Sequence, residues 1–144
     1  MFEPPDIPGA NDVIAWFGRW PTFHDAEVTS ITLDRSGGAR ISIHAFEMTA
    51  EVDVSGHYVL AKHAIVTFSL EGFPRDQSGL TSTKIEGFNY QNVLSSAAVN
   101  KIAGGYELVL EGCYGVEGSI AGERMSVNIQ PGIPGGSLYT GGTR

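Results

Sequence analysis

One cysteine, Cys113, is all the chain carries, which excludes an intramolecular disulfide and leaves no thiolate set for a structural zinc site. Lysine and arginine are also scarce, 9 against 16 aspartates and glutamates, for a formal net charge of -7. That balance repels a phosphate backbone, and no basic cluster overrides it, so nucleic acid is excluded as the expected ligand. No apolar run approaches the length of a membrane span. The start, Met1-Phe2-Glu3-Pro4-Pro5-Asp6, lacks the basic and apolar parts of a secretory leader, so a cytoplasmic, reducing location is expected. Nor is there a strand-to-helix phosphate loop or a helical HExxH pattern.

What is present is a chain of 144 residues, 42% hydrophobic and 17% charged, the size and composition of a single globular domain able to bury its own core. After an acidic, proline-rich arm, Val13, Ile14, Trp16 and Phe17 space as one side of a short helix, with Asn11 or Asp12 as N-cap and Gly18 as stop. Beyond it the dominant period is two. Thr29, Ile31 and Leu33, then Ile41, Ile43 and Ala45, alternate with polar residues around the glycine-bearing turn Asp34 to Gly38, a hairpin signature. Ala64, Val66, Phe68 and Leu70 form the clearest strand, and Tyr106 to Leu110 and Met125 to Ile129 alternate in the same way. The stretch Glu47 to Lys62 reads as a polar excursion with a turn at Asp53 to Gly56, Pro74 to Gly79 as a loop, and Val93 to Ile102 fits helix or strand. The expected fold is mainly β, an antiparallel sheet or β-sandwich with one or two short helices, α+β being the variant. The globular domain is placed at 1–131, with 132–144 as a glycine-rich flexible tail.

Chemistry concentrates in Trp20-Pro21-Thr22-Phe23-His24-Asp25-Ala26-Glu27-Val28. An imidazole and two carboxylates this close are ligand or acid/base material. Adjacent side chains of a strand diverge, however, so the favoured reading makes this a structural motif: Trp20 and Phe23 anchor a turn and Asp25 braces it through backbone N–H groups. His44 shares the face of Arg40 and Ser42 and reads as solvated. Cys113 reads as a buried or half-buried small hydrophobe. Aromatic and acidic residues stand together in Phe46-Glu47-Met48, with Glu51 and Asp53 beyond, and in Gly87-Phe88-Asn89-Tyr90-Gln91-Asn92. Phe46 and Tyr90 are candidate interface anchors, and Glu47, Glu51 and Asp53 their acidic rim.

The same motifs carry a resemblance. Trp20 to Val28, His44-Ala45-Phe46-Glu47-Met48-Thr49, Tyr58-Val59-Leu60-Ala61-Lys62-His63 and Glu86 to Leu94, spread from about Trp16 to Pro131, resemble the immunity protein 50 family of bacterial polymorphic-toxin systems. The resemblance implies an antitoxin that binds and occludes a cognate protein toxin, and it carries over no catalytic residue; from the residues themselves no metal or cofactor is expected. Two other readings stand beside it: a metal-dependent enzyme built on His24, Asp25 and Glu27, and a structural or adaptor β-domain that dimerises through an exposed strand edge.

Overall fold

The computed structural model describes residues 4–74 and 83–137; the expected Pro74–Gly79 loop, apart from Pro74, and residues 138–144 of the expected tail lie outside them. One helix, α1 (Ala10–Phe17), is followed by β1 (Glu27–Leu33), β2 (Gly38–Val52), β3 (Tyr58–Glu71), β4 (Lys84–Glu86), β5 (Val93–Ile102), β6 (Gly105–Tyr114), β7 (Glu117–Gly122) and β8 (Arg124–Pro131). All pair antiparallel in a single sheet of order β4-β7-β6-β5-β1-β2-β3-β8, so the expected antiparallel, mainly β fold with a short helix is what forms. α1 begins two or three residues earlier than its capping signal suggests. Gly9 is the N-cap at φ 92°, and a Cβ there would run into the Val127 carbonyl of β8. The close approach selects glycine over Asn11 or Asp12.

The sheet is two wings joined at one seam. β1, β2, β3 and β8 form one, β4 to β7 the other. They meet where Asp25 N–H donates to the Leu94 carbonyl, Leu94 N–H to that of Ala26, Val28 N–H to that of Asn92 and Ala97 N–H to that of Thr22. The Trp20–Val28 segment is therefore the backbone hinge plate of the fold. The wings curl toward each other, since Glu123 N–H reaches the Glu71 carbonyl and Gly122 lies against Leu70. Inside the curl sit Ile41, Ile43, Ala64, Val66, Phe68, Leu94, Leu108 and Ile120, each 0% exposed. Each larger aliphatic or aromatic side chain among them contributes roughly 1.5–3 kcal/mol by burial. α1 adds Val13 and Phe17 to the same core.

Two sequence expectations change. Glu47 to Lys62 is no excursion. The hairpin arms run on through it, pairing Glu47 with Ala61, Met48 with Leu60 and Val52 with Tyr58, and Asp53 braces only the tip by accepting from Ser55 N–H and His57 N–H. Cys113, near the end of β6, is exposed. The ambiguous Val93–Ile102 is a strand, fixed by its long pairing with β6.

Candidate functional site

Some of the residues singled out in sequence meet at a cleft and along a buried row. The cleft, about 230 Å³, has Arg19, Thr22, His24 and Asp25 on one wall and Phe46, Glu47 and Met48 on the other. Two segments chosen separately are thus neighbours in space. Its floor is held in uncommon backbone geometry, with Phe23 and Asp25 both at φ 63° and Ala26 N–H closing a turn onto the Phe23 carbonyl. Phe23 tolerates this region because its ring, 3% exposed, is clamped edge-on by Trp20 at 6.0 Å and Phe68 at 5.9 Å. Asp25 is a residue type that adopts left-handed φ more readily than most.

The role expected of Asp25 is revised accordingly. Among the described residues its carboxylate meets no backbone N–H; its neighbour is the His24 ring, Nε2 to Oδ2 3.5 Å. What the position demands is a backbone conformation. Asp25→Asn is expected to leave stability within about 0.5 kcal/mol, whereas the β-branched Asp25→Val should lose about 1–2 kcal/mol to left-handed strain. Urea unfolding of the two variants decides it, and equal losses would restore a side-chain role.

Glu27 leaves the group it belonged to in sequence. His24 is solvated, its Nδ1 3.1 Å from the Ser95 carbonyl, while Glu27 turns to the outer face of β1 and is 5% exposed. There it meets two histidines that are distant in sequence. Register sets Glu27 opposite His44, and a bulge at Lys62, φ 55°, turns His63 onto the same face. Glu27 Oε1 lies 2.7 Å from His44 Nδ1, and His44 Nε2 lies 2.8 Å from His63 Nδ1. An ionised carboxylate only accepts, so His44 donates from Nδ1; in the neutral tautomer His44 then accepts at Nε2, and His63 donates from Nδ1. In that tautomer the outer nitrogen of His63, Nε2, is a buried lone pair without a hydrogen-bond partner among the described residues.

His44 is therefore not solvated, as its face suggested, but 0% exposed. Phe46 packs against both imidazoles, 5.5 Å from His44 and 5.7 Å from His63. The returning chain after β8 covers the rest: Gly132 N–H donates to the His63 carbonyl and the Ser137 hydroxyl donates to Glu27 Oε1 at 2.6 Å. The start of the segment read as a flexible tail is thus tied to the sheet at both ends. Burial pushes the His63 pKa below the usual imidazole range; the nearby His44 adds to the effect and Glu27 opposes it. Period-two patterning could not find this row, because its cover comes from glycine-rich chain far along the sequence.

Of the other candidates, Glu47 pairs with Lys62 at 3.5 Å, and Glu51 is exposed on the hairpin arm. Tyr90 is 86% exposed. His57 sits at the hairpin tip, so the four histidines do not converge. Among the described residues, no group of three histidine, cysteine, aspartate or glutamate side chains is arranged to hold a metal ion, and no helix is long and apolar enough to cross a membrane. Comparison with protein-family models, with curated proteins and with solved structures finds no match in any of the three.

Proposed function

We propose that this chain is a protein-binding domain that neutralises a cognate protein toxin by occluding it, as an immunity protein of a polymorphic-toxin system. The observation that carries the reading is Tyr90: a large aromatic side chain, 86% exposed, on a loop built to hold still. Asn89 Oδ1 accepts from Gln91 N–H and Asn92 N–H, Asn92 Oδ1 accepts from Asn89 N–H and Val116 N–H, and Asn92 Nδ2 donates to the Val28 carbonyl. Gly115 lets the chain beside the loop approach Asn89 and Asn92 more closely than a Cβ would allow. An exposed anchor on a preorganised loop loses little entropy on binding, which favours recognition.

The surroundings support the same reading. Phe88 and Tyr114 are 50% and 61% exposed, next to a loop and a strand end already in contact. The protruding β2–β3 hairpin exposes Met48, Val52 and Val54 beside the acidic residues Glu51 and Asp53. With a net charge of -7, the face suits a basic partner, drawn in by long-range attraction that salt weakens.

The test is co-expression with the product of the adjacent open reading frame. Growth rescue and a co-purifying heterodimer are expected. Tyr90→Ala should raise Kd about thirtyfold or more, mainly through faster dissociation, while thermal stability stays unchanged because the ring is solvated. A neighbour that is not toxic, or one this protein neither binds nor protects against, overturns the reading. Binding that ignores Tyr90→Ala removes the loop from the interface.

A further inference from the structure

We propose that the buried Glu27–His44–His63 row is a proton-operated latch on the returning segment Pro131–Ser137, closed when His63 is neutral and opened when a proton enters at His63 Nε2. The hydrogen bonds of the closed form leave one place for an added proton. His44 Nδ1 and His63 Nδ1 are committed to Glu27 and His44, so the proton goes to Nε2, which is buried and faces no acceptor. An imidazolium there has neither water nor a hydrogen-bond partner unless a wall moves.

The walls differ in how readily they yield. Trp16 of α1, beside His63, is tied by its indole N–H to the Lys62 carbonyl at 2.9 Å, and its helix is packed into the core. Residues 131–133 are the opposite wall. There Gly132, at φ 137° with open space where a Cβ would be, is held through its N–H on the His63 carbonyl. Among the described residues, a further tie is the Ser137 hydroxyl on Glu27. The segment is therefore what gives way.

Among the described residues, the charged and titratable groups around His63 are few. Lys62 on its own strand is paired with Glu47 of β2, and Glu27 of β1 is reached through His44. α1 presents the uncharged Trp16 indole, and the returning segment presents Pro131, Gly132, Ile133 and the Ser137 hydroxyl. The direction follows. The closed form holds the His63 pKa down, chiefly by burial, and opening returns it toward the solvated value near 6.5. The open form thus binds more protons, so closure is favoured above about pH 6.5 and lost progressively below it. Opening also reshapes a groove shared by residues 134–137 and the Tyr90 loop, although the latch itself does not depend on what binds there.

Amide hydrogen exchange and histidine NMR titration of the full chain test the proposal. Between pH 7.5 and 5.5, corrected for intrinsic exchange, protection of the Gly132 amide should fall by up to about tenfold, with its midpoint at the His63 titration, while the Ile41 amide in the core stays protected. His63→Phe, which cannot titrate, should abolish the pH step, and Ser137→Ala should weaken closure at pH 7.5 yet keep the step. Constant Gly132 protection in the wild type overturns the latch, as does a step that survives in His63→Phe. Should that variant not fold, the wild type still decides: a Gly132 midpoint that departs from the His63 titration overturns it equally.

Discussion

Replacing His44 with alanine is expected to cost about 3–5 kcal/mol of unfolding free energy. The substitution removes a 0% exposed side chain and takes a hydrogen-bond partner from each of its neighbours. Glu27, itself 5% exposed, loses the 2.7 Å donor on its carboxylate, and His63 loses the acceptor for its Nδ1 proton. A buried carboxylate deprived of a charge-assisted hydrogen bond keeps its desolvation penalty, which is why breaking such a set costs far more than forming it gains. His44→Gln, whose amide offers one donor and one acceptor, should recover about half of the loss. Urea unfolding midpoints give both numbers. A loss below about 1 kcal/mol for alanine would mean that water replaces the imidazole and that the row is not desolvated in solution.

Why was this row hidden when so much of the sheet was legible? The strands with unbroken alternation, Ala64 to Leu70 and Ile41 to Ala45, could be assigned because one face packs on the curled core, and the Asp34 turn declares itself through its serine and glycine. Alternation fails where register shifts. The irregularity between Ala45 and Glu47 and the bulge at Lys62 break the period within Glu47 to Lys62, so paired arms resemble a polar excursion in sequence. The same bulge turns His63 toward His44, and no local pattern announces it. Val93 to Ile102 was undecidable for a different reason: its composition fits either state, and pairing with β6, which propensity does not see, settles it. Within the Trp20–Val28 motif, Trp20 and Phe23 are buried in the core. Sequence could not separate Glu27 from His24 and Asp25, because the left-handed residues that turn the chain between them are non-glycine positions that ordinarily prefer other conformations.

The anchoring itself can be measured, and Phe68→Ala is expected to lose about 3–5 kcal/mol. Phe68 is 0% exposed and meets Trp20 at 6.1 Å and Phe23 at 5.9 Å, with interplanar angles of 73° and 65°, edge-to-face geometries that add about 0.5–1.5 kcal/mol per pair beyond burial. The cavity term alone does not distinguish it from any other core residue; the consequence at Phe23 does. Phe23 holds a left-handed φ of 63° without glycine's freedom, and packing of its ring offsets that cost. Removing Phe68 takes away one side of the clamp, so the strained turn through Asp25 and Ala26 should open locally before the sheet does. Two measurements follow. Chemical unfolding of Phe68→Ala, Phe23→Ala and the double variant should give a coupling energy of about 0.5–1.5 kcal/mol. Hydrogen exchange of Phe68→Ala should quicken at the Asp25 amide, which donates to the Leu94 carbonyl, more than at the Ile43 amide one strand away. Additive losses, or exchange that rises uniformly across the sheet, would show that the aromatic trio merely fills space and that the seam between the wings is held by its backbone hydrogen bonds alone.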